Sequence, residues 1–401
     1  MYDLLKTSLV LIFIVILLRR KVSMTAVMPI GAILLGLLYL TPPAQFFKAA
    51  LRGIIAPASL EMTITLMLTM VMENILRTSG MLKRMVGSLS AALRDRRVVM
   101  AAMPAMIGLL PSPGGAVFSA PMVNEAAGEV AIKPEQKALI NYWYRHIWEY
   151  VSPLYPGVIL AAGLSGISTQ TIFIANLPFA LSVIIWGALF CFHGIGRQPT
   201  PVTENHKGRE FLTFLAMISP ILLSLLLVII FRISPAISLC GSVLVLYGVL
   251  RYTPAMIIKN LRGSISLKAL FLVIGIMAFK EVLGITGALD GVSSFFASSG
   301  LPVHLVLILI PFLAGIMTGL TVGYIGITFP LLLPLMGDPI SPGLVALAFA
   351  SGFAGVMLSP VHLCYVLTCE YFKTDVARVY HRLLIPSALV LAAAVIPLWF
   401  F

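Results

Sequence analysis

The sequence predicts an all-α polytopic membrane protein made of two inverted repeats. Each repeat has five transmembrane helices, one re-entrant helical hairpin and one Ser-Pro-broken helix. Three observations predict this. The 401 residues are 60% hydrophobic and only 10% charged, whereas soluble domains carry about 25% charged residues. Apolar runs of spanning or near-spanning length recur from one end of the chain to the other. Four short motifs also return in the same order at nearly one offset.

The motifs define the duplication. Thr41-Pro42-Pro43, followed by Lys48 and Leu51-Arg52-Gly53, recurs as Thr253-Pro254 with Lys259 and Leu261-Arg262-Gly263. Ser79-Gly80-Met81-Leu82 is echoed by Thr286-Gly287-Ala288-Leu289. Gly108-Leu109 through Gly115 returns as Gly319-Leu320 through Gly326, and Ser152-Pro153-Leu154 as Ser359-Pro360-Val361. Every offset lies between 207 and 212, which divides the chain into a first repeat 1–194, a linker 195–207 and a second repeat 208–401.

Taken in order, the spans of the first repeat fall at 4–18, 22–41, 60–76, 138–163 and 168–193, with a hairpin at 98–123. The first span is followed by Arg19-Arg20-Lys21 and no small-residue cleavage site, so it reads as retained rather than as a signal peptide. The hairpin run carries no charge from Val98 to Val123, yet Pro111, Pro113, Gly114 and Gly115 interrupt its centre. Proline removes a helix donor and glycine weakens the helix. Two arms of about 12 residues result, each roughly 18 Å long. Neither crosses a hydrocarbon core of about 30 Å alone, so the tip is expected to turn back at mid-membrane depth. In the second repeat the spans fall at 211–231, 235–250, 269–287, 342–372 and 383–401, with the hairpin at 302–336.

Five spans are an odd number, so the second repeat runs inverted to the first. With both hairpins re-entrant and both termini outside, 21 of the 27 Lys and Arg residues face the cytoplasm and four face outward. Hairpins that crossed the membrane would divide the same residues 13 to 12. The positive-inside rule selects the re-entrant arrangement. The net charge of +12 thus reads as topology and not as a nucleic-acid footprint. The four cysteines lack metal-ligand spacing and read as small core residues.

Broken elements at matching places in inverted repeats point to a transport site at their interface. The breaks offer Ser112, Gly114, Gly115, Ser119, Ser152 and Pro153 in the first repeat, and Thr321, Gly323, Tyr324, Gly326, Thr328, Ser359, Pro360 and His362 in the second. Helix N-termini there favour anions and unwound carbonyls favour small cations. For any one of these glycines or serines, close helix packing is the competing reading. Arg145 lies within a span, four residues before Glu149, and needs a partner or water. The pair is either a structural lock, or Arg145 binds a substrate carboxylate with its planar fork and Glu149 or His146 takes a proton. Ser112, Ser152, Thr321, Ser359, Glu149, Glu73 and Glu281 are candidates for the coupling ion. Glu73, Lys280 and Glu281 lie near span ends, where snorkelling is the alternative.

The stretches P-S-P-G-G-A-V-F-S-A-P at 111–121 and R-H-I-W-E-Y-V-S-P-L-Y-P-G at 145–157 resemble the family designated domain of unknown function 401. The duplicated unit is similar to the wider ion transporter superfamily, which includes sodium-coupled dicarboxylate and citrate carriers. That resemblance implies a homodimer and an elevator motion of hairpins and broken helices against a scaffold of first spans. Ser112 and Ser152 take places comparable to the carriers' Ser-Asn-Thr signatures, although no such triplet is present.

The expected function is secondary transport of a small organic anion with Na+ or H+ as coupling ion, in a prokaryotic plasma membrane, without metal or other cofactor. A cation/proton antiporter is the rival. An intramembrane enzyme using His146, Glu149 and His362 lacks an H-E-x-x-H pair, a Cys/His ligand cluster or a G-x-S-x-G elbow. A passive channel is a further alternative.

Overall fold

The structure, a computed structural model, describes residues 2–20, 22–109, 115–128, 130–197, 207–289 and 300–401. Every regular element among them is helical. The first half comprises α1 (Tyr2–Arg19), α2 (Met24–Leu38), α3 (Pro43–Ile55), α4 (Pro57–Thr78), α5 (Met81–Ala92), α6 (Arg96–Gly108), α7 (Gly115–Ala127), α8 (Pro134–Arg145), α9 (Pro156–Ser165) and α10 (Thr169–Phe190). The second comprises α11 (Lys207–Ile229), α12 (Pro235–Val249), α13 (Pro254–Ser264), α14 (Leu267–Ile285), α15 (Val303–Thr318), α16 (Thr321–Leu332), α17 (Pro342–Met357), α18 (Leu363–Tyr371) and α19 (Val376–Ala392).

Starts are written in the sequence. Proline opens α3, α4, α8, α9, α12, α13 and α17, where its missing donor is not needed. Side chains of Ser168, Ser234, Thr253, Ser266 and Ser341 cap the helices that follow them. Asp95 caps α6 by accepting from the Arg97 amide at 3.0 Å.

Among the described residues, four helices are long and apolar enough to cross a membrane: Pro57–Thr78, Thr169–Phe190, Gly208–Ile229 and Val376–Trp399. The shorter apolar helices have 10–17 residues. The sequence expects ten full spans, and part of the difference has a local cause. Ser-Pro breaks divide 138–163 into α8 and α9 and 342–372 into α17 and α18, while Ser234 and Pro235 fix the start of α12.

Three helices fall where the sequence suggests only connections. The T-P motif stretches form α3 and α13, and the basic segment 77–97 contains α5. α3 and α13 are amphipathic and too polar to register as spans. Gly53 lets α3 approach α14 closely, since a Cβ there would lie 2.5 Å from the Met277 carbonyl oxygen. Asn74 of α4 holds α13, donating to Ser264 Oγ at 2.9 Å.

Two packed groups emerge. α1–α4 meet α11–α14 through α2–α14, α3–α14, α4–α12 and α4–α13. α6–α10 meet α15–α19 through α9–α16, α7–α18 and α10–α17, with α19 on α8. Packing also recurs at one spacing. A Cβ on Gly108 would collide with the Arg145 carbonyl oxygen, and one on Gly315 with that of Gly352, both members lying 207 residues later. Trp148 donates to the Ala105 oxygen at 2.9 Å, while Gly355, again 207 later, packs on the Phe312 oxygen.

Candidate binding site at the paired helix breaks

α8 stops at Arg145, and residues 147–150 continue as one 3₁₀ turn before Ser152-Pro153 ends the run. The Ser152 amide still donates to the Trp148 oxygen at 2.8 Å, so backbone bonding persists past the end of α8 up to the proline, which has no donor. α9 opens four residues after Ser152, at Pro156. The counterpart is the break Leu358–His362 between α17 and α18.

Each break grips a hairpin. Tyr155 Oη donates to the Gly108 oxygen at 2.5 Å, at the end of α6. Ser359 Oγ donates to the Ile316 oxygen at 2.7 Å, and His362 Nδ1 lies 2.8 Å from the Gly319 oxygen. The first break also reaches the second hairpin. Thr321 Oγ1 donates to Glu149 Oε2 at 3.2 Å, and Gly157 lies so close to the Thr321 side chain that a Cβ has no room. Further in, Ser119 Oγ donates to Asn141 Oδ1 at 2.7 Å. Asn141 Nδ2 in turn donates to Thr368 Oγ1 at 3.0 Å.

The centre is charged and closed. Arg145 is 2% exposed and donates to Tyr155 Oη at 3.4 Å. Its charge acts on Glu149 and Cys364, and on Glu73. His146, buried beside it, places Nε2 3.8 Å from Glu149 Oε1 and 3.1 Å from His362 Nε2. α9, α16 and α18 all begin around this centre, so their unpaired amides and dipoles add positive potential.

The candidates thus separate. Arg145, His146, Glu149, Thr321 and His362 are brought together. Ser152 and Ser359 are buried at the two breaks, with Pro153 buried beside the first and Pro360 exposed at the second. Ser119 belongs to the neighbouring polar chain and Gly115 opens α7. Ser112 and Gly114 lie outside the described residues.

The second hairpin departs from expectation. Its interruption is Gly319-Leu320, with Gly319 at φ +60°, and Thr321–Leu332 is continuous helix. Gly323, Tyr324, Gly326 and Thr328 therefore lie within α16 instead of an unwound tip. Tight packing offsets the glycines' weak helix preference of about 1 kcal/mol each: Gly326 faces Ile276, where a Cβ would fall 2.6 Å from Cδ1. Tyr324 donates to the Phe349 oxygen and Thr328 to the Tyr324 oxygen, each at 2.8 Å.

Glu73 and Glu281 line separate clefts. The Glu73 cleft, about 210 Å³, includes Arg77, Ile107, Phe118 and Met122. The Glu281 cleft, about 580 Å³, includes Lys280, Pro330, Leu333 and Asp338. Each lies beside one hairpin.

Sequence reasoning found no Cys/His cluster, and the fold corrects that. His146, His362 and Cys364 offer ligand atoms all within 4.8 Å of one another. The only local signal is His-x-Cys at 362–364, and its partner stands 216 residues away. Asn141 and Thr368 were likewise out of reach, because nothing in their neighbourhoods announces a contact between the halves.

A family model described as a protein of unknown function, DUF401, matches residues 4–400. None of the curated proteins matches the chain. Among solved structures, the crystal structure of the Alcanivorax borkumensis YdaH transporter, said to reveal an unusual topology, is similar over 89% of this chain and 88% of its own. The identity is 15% and the TM-score 0.61, a likeness of fold.

Proposed function

The chain belongs to the family described as protein of unknown function DUF401, and from that footing we propose that it is a secondary active transporter of a small organic anion, a carboxylate, coupled to Na+ or H+. The observation that carries the reading is Arg145: a fully buried guanidinium where both breaks and three helix N-termini meet. A charge at the centre of a membrane helix costs about 2.5–3.5 kcal/mol on the insertion scale. A planar fork among amide dipoles suits a carboxylate, with Thr321 supplying a hydroxyl.

The inverted-repeat reading is supported by packing that recurs 207 residues apart, as at Gly108–Arg145 and Gly315–Gly352. An elevator mechanism is supported by the division into two packed groups, one holding both hairpins and both broken helices. The YdaH structure is that of a transporter, which favours transport over catalysis. A homodimer in a prokaryotic plasma membrane, with both termini outside, completes the proposal.

The clefts holding Glu73 and Glu281, one beside each hairpin, favour a cation/proton antiporter as the second reading. Thermal stability of the purified protein separates the two. A panel of small carboxylates is added with Na+, with K+ and at two pH values. A ligand that binds only the folded state raises the apparent midpoint. A carboxylate shift supports the anion carrier. Shifts with Na+ or pH alone, and none from any carboxylate, support the antiporter.

A further inference from the structure

We propose that His146, His362 and Cys364, with Glu149 as fourth ligand, form a site for a borderline-soft transition-metal ion such as Zn2+. The tautomers carry the argument. His146 Nδ1 lies 2.6 Å from the Tyr142 oxygen and His362 Nδ1 lies 2.8 Å from the Gly319 oxygen. A carbonyl only accepts, so each Nδ1 bears the ring hydrogen. Both neutral rings are left with an Nε2 lone pair, and the two lone pairs face each other at 3.1 Å. Two acceptors hold that position only with a cation between them.

The surroundings choose the cation. Two zinc–nitrogen bonds of about 2.0–2.1 Å at a tetrahedral angle place their nitrogens about 3.3 Å apart, close to the spacing found. Cys364 Sγ lies within 4.8 Å of both rings, and Glu149 Oε1 is 3.8 Å from His146 Nε2. Cys364 as third ligand and Glu149 as fourth would make a tetrahedral set of two nitrogens, one sulfur and one oxygen. The backbone carbonyls on both Nδ1 atoms are the outer partners that orient histidine ligands. A thiolate and a carboxylate neutralise a divalent ion. The ligands come from both halves, so the ion ties the first broken helix to the second.

This site does not rest on the transport reading, and a negative transport assay leaves it standing. The test uses the purified full-length protein, stripped with chelator and then titrated with Zn2+ or Co2+. One ion per chain, a raised thermal midpoint and a thiolate-to-cobalt charge-transfer band are expected. C364S should lose the band, and C240S, changed at an exposed cysteine, should keep it. Loss of outer partners alone typically costs 10–100-fold in metal affinity, so H146Q and H362Q should each lose more than about 100-fold. The wild-type stoichiometry and spectrum stand whether or not the variants fold. No bound ion and no band overturn the proposal, as does equal binding by the double variant H146Q/H362Q. A midpoint that responds to pH but to neither metal also overturns it, and assigns a shared proton to the histidine pair.

Discussion

Thr321 donates its hydroxyl hydrogen to Glu149 Oε2 at 3.2 Å, joining the start of α16 to the first helix break across 172 residues. A hydrogen bond to a charged group contributes about 1.5–3 kcal/mol, less where water competes, and this one is part-buried. T321V keeps the shape and removes the donor, so it should lower stability by about 1 kcal/mol. T321S should recover most of that loss. Thermal midpoints of the three proteins check the order, and equal midpoints for T321V and wild type would remove the contact from the account.

Arg145 leads to a sharper expectation. R145K preserves charge but not the planar fork, and the shorter, compact ammonium cannot reproduce paired bonds to a carboxylate. Any carboxylate that raises the wild-type midpoint should bind R145K at least about tenfold more weakly, equivalent to about 1.4 kcal/mol. Ligand-titrated thermal shifts measure this directly. Unchanged affinity in a folded R145K protein would make Arg145 a structural residue.

The breaks show which parts of such a site can be read from residues and which cannot. Proline acts locally, so Ser152-Pro153 and Ser359-Pro360 could be recognised as interruptions without a neighbour in view, whereas the second hairpin turns at Gly319-Leu320, just before the expected tip. The glycines of α16 read wrongly for the opposite reason. Gly326 has a weak helix preference of its own, and only the side chain of Ile276 on α14 explains why helix continues there. α3 and α13 escaped because an apolar criterion passes over amphipathic helices packed against a neighbour. The His146–His362 contact and the Asn141–Thr368 bond join residues more than 200 positions apart, a distance no spacing rule covers.

Close packing at Gly108 and Gly315 should be unforgiving. In each case a Cβ meets a backbone oxygen, of Arg145 and Gly352 respectively, and backbone cannot rotate away as a side chain can. G108A and G315A should each lose about 1–3 kcal/mol, the range for overpacked cores. Gly241 on α12 is the control, because a Cβ there would have no neighbouring heavy atom within 4 Å. G241A should be neutral or gain up to about 1 kcal/mol from better helix propensity. Chemical or thermal unfolding in one detergent ranks all three. A G108A or G315A protein as stable as G241A would mean that α6 and α15 are not held where they pack.

The last expectation concerns orientation, on which any two-sided mechanism depends. Arg94 follows α5 and Leu301 precedes α15, and both are exposed. Arg94 lies in 77–97, which carries six basic residues, and Leu301 directly follows 284–300, which carries none; the recurring sequence motifs pair these two segments as expected counterparts. Positive charge marks the cytoplasmic side, so the counterparts should face opposite sides of the membrane. In a C240S background, which removes the exposed native thiol, R94C should react with a membrane-impermeant maleimide only after the cytoplasmic side is opened. L301C should react in intact cells. Labelling of both from the same side would abolish the inverted arrangement, and with it the case for two clefts opening in turn to one central site.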